Sequence, residues 1–148
     1  MKALIQRVSS AKVEVEGRVI GEIAQGLLIF LCSVKGDLEQ DMDYLVRKIS
    51  QLRIFADEQG KMNLSVMDIK GSALVVSQFT LAASTRKGNR PAFDAAESPD
   101  LARMMYEAFI RKLKETGITV RTGEFAASMS VSLINDGPVT IFIDSREG

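Results

Sequence analysis

Histidine is absent from the 148 residues. Without it there can be no Ser-His-Asp triad and no Cys-His pair, and the side chain that most often serves as general base near neutral pH is missing. Cysteine is almost absent as well. Cys32 stands alone, so no internal disulfide can form, which suits a reducing compartment. Zinc sites built from imidazole and thiolate are excluded with it. Cys32 lies at the end of the apolar run Gly26–Cys32 and reads as a small buried hydrophobe. A hard cation could be held by carboxylates, but no close grouping of acidic residues offers a cage, so neither metal nor cofactor is expected. No sign of charge dominates, since 19 Lys and Arg balance 19 Asp and Glu. A general nucleic-acid coat protein would be strongly basic, so any nucleic-acid contact must be local, through a patch or through shape. No apolar stretch approaches the ~20 residues needed to span a bilayer. The opening Met1–Val8 lacks the hydrophobic region of a signal peptide. The expectation is a soluble, cytoplasmic protein without membrane contact.

The residues present read as one domain over 1–148, with no linker, repeat or low-complexity tract. Leu4–Val8 reads as a strand, and Val13 and Val15 alternate with Lys12, Glu14 and Glu16 as a half-buried one. Glu16-Gly17 marks a turn before a return strand, Val19–Ile23. Gly26–Val34 is almost continuously apolar and reads as a central strand buried on both faces. Asp37 with Gln40 three residues later resembles a capping box, and Met42, Leu45, Val46, Ile49 and Leu52 recur at helical spacing. Arg53–Phe55 reads as a short strand, Asp57–Gly60 as a turn, and Ser72–Ser77 as a second buried strand. A polar loop spans Ser84–Pro91. Ser98 as N-cap and Pro99 at the first helical position begin a second helix. Its apolar stripe is Leu101, Met104, Met105, Ala108, Phe109 and Leu113, read as core, and Gly117 ends it. Ile118–Arg121, Ser130–Ile134 and Val139–Ile143 read as strands, the last two joined by a turn at Asn135–Pro138. The class is mixed α and β, with a β-rich core and two main helices. Helices should cover one face of the sheet and further β-structure the other; a face left uncovered would need a partner subunit.

Three segments could carry chemistry. Ser77-Gln78-Phe79-Thr80-Leu81 sits where a buried strand meets a loop, a usual place for ligands in open α/β sheets. It offers two hydroxyls, an amide, an aromatic face and backbone N–H groups able to hold an oxyanion. Spacing alone favours a plain strand end with a Ser/Thr turn and Phe79 in the core, because a bare threonine is a poor nucleophile without an activating base. Asn135–Thr140 is either an ordinary hairpin or a rigid presentation of backbone through a cis Gly-Pro bond, an isomer found in only ~5% of X-Pro bonds. Thr85–Pro91 places Arg86, Lys87 and Arg90 in a short loop that can contact phosphates or simply stand in water.

These segments, with the opening Leu4–Val8, Lys61-Met62-Asn63, Gly88–Phe93 and Phe125–Met129, resemble the D-aminoacyl-tRNA deacylase family, first described as D-tyrosyl-tRNA deacylases. The resemblance covers essentially the whole chain and rests on the order and spacing of the motifs. Ser84 stands where Asp is frequent and Ala92 where Ser is common, both in the polar loop. The resemblance implies a three-layer α/β/β fold and a homodimer with active sites at the interface. It implies hydrolysis of the ester joining a D-amino acid to the 3′-terminal adenosine of tRNA, and action on glycyl-tRNA. Gly137-Pro138 would be the family's cis motif, reaching into the partner subunit's site as a chiral filter supported by Arg7. Phe79, Phe125 and Met129 would line the substrate pocket, while Ser77, Gln78 and Thr80 would do or position the chemistry.

Rigid backbone where any L side chain would go rejects all of them by clash, without tying the enzyme to one amino acid. Two mechanisms remain open: Thr80 attacks and forms an acyl-enzyme, or the protein positions the substrate while the free 2′-hydroxyl of the adenosine assists hydrolysis. The lack of histidine favours the second. The alternatives in function are a non-catalytic dimeric module binding aminoacylated RNA ends, and an amidase or esterase of small substrates, which would need a base the sequence does not reveal.

Overall fold

The computed structural model describes residues 1–148. The chain runs β1 (Lys2–Val15), β2 (Arg18–Ile23), β3 (Gly26–Cys32), α1 (Glu39–Gln51), β4 (Phe55–Ala56), β5 (Met62–Leu64), β6 (Ser72–Ser77), a 3-10 turn (Phe79–Ala82), α2 (Pro99–Glu115), β7 (Thr119–Thr122), β8 (Ser130–Asp144) and a final 3-10 turn (Ser145–Glu147). The main sheet has the order β2-β1-β3-β6-β7, with β8 paired to the other edge of β1.

β1 is one strand where the sequence suggests two. Its first half pairs antiparallel with β3, from Lys2↔Cys32 to Val8↔Gly26, and its second half with β2. β8 follows it along nearly its whole length. β3, β6 and β7 are parallel neighbours. Each crossover carries a helix and both step the same way across the sheet, so α1 and α2 lie on one face.

The apolar run of β3 is explained by burial on two sides. Leu27, Ile29 and Leu31 join Ala73 and Val75 in the core under the helices, with Leu45, Ile49, Phe109 and Leu113 above them. Leu28, Leu74 and Val76 point the other way, into a second core with Val8, Ala11, Val13 and Ile23 from β1 and β2. Alternate side chains of one strand thus enter different layers, which gives the expected α/β/β order. The folded-over β2 comes close to β7: a Cβ on Gly21 would fall 2.4 Å from the Thr122 carbonyl oxygen, so only glycine fits there.

Several expectations are corrected. Asp37 does not cap α1. It is buried, accepting from the Met1 amine at 2.8 Å and from the Val34 N–H at 2.7 Å. The cap residue is Leu38, whose N–H donates to Asp41 Oδ2 at 2.8 Å. Asn135–Pro138 is not the turn of a hairpin, because Ser130–Asp144 is a single strand. Its ladder with β1 passes from Gln6↔Thr140 to Val8↔Asn135, so residues 136–139 bulge out opposite Arg7. In α2, Leu101 and Met104 are exposed, and the buried stripe is Met105, Tyr106, Phe109, Ile110 and Leu113. The short strand after α1 is Phe55–Ala56 and pairs with β5, which the sequence did not announce. No helix is long and apolar enough to cross a membrane.

A candidate active site at the carboxyl ends of three parallel strands

β3, β6 and β7 all end on the same side of the sheet, and the segments that follow them surround a cleft of about 530 Å³. Cys32 and Ser33 come from the end of β3, Ser77, Gln78 and Phe79 from the end of β6, and Phe125–Ala127 with Met129 from the segment after β7. The carboxyl ends of parallel strands are where such sheets leave room for ligands, because the helices start there and the chain splays. The Gln78 N–H donates to the Leu31 carbonyl at 2.8 Å and so ties the segment after β6 to β3.

Five of the residues singled out in the sequence therefore share one cleft: Ser77, Gln78, Phe79, Phe125 and Met129. Thr80 lies one residue beyond the lining. Its side chain is exposed, and its Oγ1 accepts a hydrogen bond from the Gln78 amide. No lysine or carboxylate hydrogen-bonds to it. The N–H groups of Phe79 and Thr80 head the 3-10 turn, and neither donates to another backbone group. Two donors are thus left over where the chain turns out of β6, next to the cleft.

The walls include groups that the sequence reading passed over. Tyr106 is buried, its hydroxyl donating to the Val75 carbonyl at 2.9 Å, and burial pushes its pKa up to about 12. Its ring packs against Phe125 with centroids 5.7 Å apart, while the Arg103 guanidinium lies 4.8 Å from the Phe125 ring centre on the helix side. Tyr106 falls one residue after Met105 on the helical repeat, so a wider apolar stripe would have found it. Glu97 is the one carboxylate of the lining; its Oε1 accepts the Ser98 N–H at 2.7 Å. Cys32 is buried as expected. Desolvation raises its thiol pKa, and the thiol lies 3.6 Å from the Phe79 carbonyl oxygen.

Arg7, Gly137 and Pro138 lie elsewhere. The Gly137-Pro138 bond is cis, and Gly137 has φ +134°. Arg7 is not a solvated strand residue. Its Nε donates to the Asp136 carbonyl at 2.8 Å and its guanidinium also reaches the Ile54 carbonyl. Arg7 pairs with Leu27, whereas the cleft begins at Leu31. Four residues of strand, roughly 13 Å, separate the two along β3, and within one chain they do not meet.

A family profile described as D-Tyr-tRNA(Tyr) deacylase matches residues 4–144. The chain is 60% identical over 146 residues to the D-aminoacyl-tRNA deacylase of Persephonella marina (strain DSM 14350 / EX-H1), covering 99% of each chain. It is 57% identical over 147 residues to that of Ruegeria sp. (strain TM1040), covering 99% of this chain and 94% of the other. Among solved structures it is similar to one titled c-Myc DNA Unwinding Element Binding Protein, with a TM-score of 0.92 at 40% identity over 97% of this chain and 98% of that one. A structure described as a probable eukaryotic D-amino acid tRNA deacylase shares the fold, with a TM-score of 0.85 at 13% identity over the same shares.

Proposed function

The chain belongs to the D-aminoacyl-tRNA deacylase family, and from that premise we propose how one domain over residues 1–148 hydrolyses D-aminoacyl-tRNA. The aminoacylated 3′-adenosine enters the cleft at the ends of β3, β6 and β7. Phe125 and Met129 hold its adenosine, Phe79 lines the path of the amino acid, and the free N–H groups of Phe79 and Thr80 take the ester carbonyl oxygen as negative charge develops on it. Ser77, Gln78 and Thr80 orient the ester. The observation that carries the mechanism is the company of Thr80: its hydroxyl meets an uncharged amide, which cannot take its proton, so it is an unactivated nucleophile. The free 2′-hydroxyl of the terminal adenosine assists the attack of water instead.

Chirality is read by main chain. Gly137-Pro138, braced by Arg7, fills the space an L side chain would need, and glycyl-tRNA passes because glycine has no side chain to clash. The bulge is far from the cleft of its own chain, which supports a homodimer in which each subunit supplies the filter to its partner's site. Two further features favour that assembly. β8 pairs only with β1, leaving a second edge free, and Ile134 and Phe142 on it are exposed; such an edge is ordinarily covered. The protein works with its substrate in the cytoplasm.

The test is release of D-tyrosine from D-tyrosyl-tRNA with L-tyrosyl-tRNA spared; equal rates on the two would sink the filter. Thr80→Ala should keep substantial activity, and tRNA ending in 2′-deoxyadenosine should be a very poor substrate. Complete loss in a folded Thr80→Ala protein would point to an acyl-enzyme. Tight binding of aminoacyl-tRNA without hydrolysis would point to a non-catalytic module.

A further inference from the structure

The loop between the 3-10 turn and α2 is built as a finger. Ser84 and Ala92 form an antiparallel bridge at its base, with N–H to carbonyl distances of 2.8 and 2.9 Å in the two directions. Every residue from Ala83 to Ala92 is exposed. The root is fixed to the cleft: the ring of Phe93, just past the bridge, packs edge-on against Phe79 at 5.0 Å between centroids, and Phe79 lines the cleft. The finger carries Arg86, Lys87 and Arg90. None of them joins any of the ion pairs of the molecule. No Asp or Glu occurs between Asp68 and Asp94. In a chain of zero net charge this is a local excess of three uncompensated cations on an exposed loop beside the cleft.

We infer that this finger grips the sugar-phosphate backbone of the acceptor stem adjoining the aminoacylated end. The inference rests on the deacylase reading above, because only an RNA whose 3′ end lies in the cleft must carry its next phosphates past the rim. The finger offers no aromatic ring on which a base could stack. Its chemistry is that of long, flexible cations, which suits contact with phosphates and gives affinity without sequence preference. It lets a protein of no net charge hold tRNA through contacts that themselves carry no sequence information.

The experiment compares the wild-type protein with R86Q/K87Q/R90Q on two substrates, D-tyrosyl-tRNA and the D-tyrosyl ester of adenosine, which has no phosphate. The variant should show KM for the tRNA raised about tenfold at low salt with kcat unchanged. Its plot of log kcat/KM against log salt, between about 50 and 200 mM, should flatten by about two units. Its kinetics on the adenosine ester should match wild type, and R86K/R90K should behave as wild type on both. An unchanged KM and salt slope would overturn the inference while leaving the deacylase reading intact. So would an equal loss on both substrates, which would mean that the loop acts on the cleft through Phe93. Failure of the wild type on both substrates would instead remove the deacylase reading and the finger's role with it.

Discussion

The Tyr106 hydroxyl joins helix α2 to the strand that leads into the cleft. Its acceptor, the Val75 carbonyl, also receives the Gly123 N–H at 3.1 Å, so removing the hydroxyl does not leave that oxygen unpaired. Tyr106→Phe should therefore cost only about 0.5–1.5 kcal/mol at neutral pH, read by denaturant melts. Alkaline pH should separate the two proteins further. Burial raises the folded-state pKa of Tyr106 from 10 to about 12. Below pH 10 the phenol is neutral in both folded and unfolded chains. Between pH 10 and 12 the unfolded chain ionises first, so stability falls as pH rises, by up to roughly 2–3 kcal/mol. Tyr106→Phe should lack this share of the loss. Parallel alkaline slopes for the two proteins would contradict it.

Among the elements, α2 depends on a few side chains. Phe109 is wholly buried between the helices and the sheet, and Phe109→Ala should cost about 3–5 kcal/mol through lost transfer energy and the cavity left behind, seen as a fall in the denaturant midpoint. α2 also shows what periodicity can and cannot deliver. Ser98, Pro99 and Gly117 bracket it in sequence as in structure, although the Ser98 side chain makes no capping hydrogen bond; the fixed φ of Pro99 and the positive φ of Gly117 are local backbone preferences. Which face is buried depends on where the sheet lies, and so Leu101 and Met104 read as core although they are exposed. The same limit applies to β8. Asn135, Asp136, Gly137 and Pro138 have the composition of a turn, and only the continuous ladder with β1 makes them a bulge. In the cleft, Ser77–Phe79 was legible because a buried strand ends there. Phe125 and Met129 entered through the family resemblance alone. Glu97 was invisible, since nothing local to it signals that the helix start faces β3.

At the scale of the whole molecule, the cleft lies at the carboxyl end of β3, whereas the bulge at Gly137 is held by Arg7 of β1, level with the start of β3. A Cβ on Gly137 would stand 2.9 Å from the Val139 nitrogen and 3.0 Å from the Arg7 guanidinium, at a φ that L side chains rarely adopt. Gly137→Ala should therefore displace the bulge and lower the preference for D-tyrosyl-tRNA over L-tyrosyl-tRNA at least about tenfold, as measured by release of each enantiomer. Ala127→Trp, which fills the cleft, should abolish hydrolysis. If each bulge guards the other subunit, unfolding and refolding the two variants together yields mixed dimers whose one open cleft faces an intact bulge. Preference for D substrates should then return in the mixture, although neither parent shows it. If each bulge guarded its own cleft, mixing would restore nothing. In genetic terms, fidelity and turnover would belong to different alleles: a subunit that has lost all catalysis could still police the choices of its neighbour, whereas a filter mutant would corrupt the cleft of a wild-type partner.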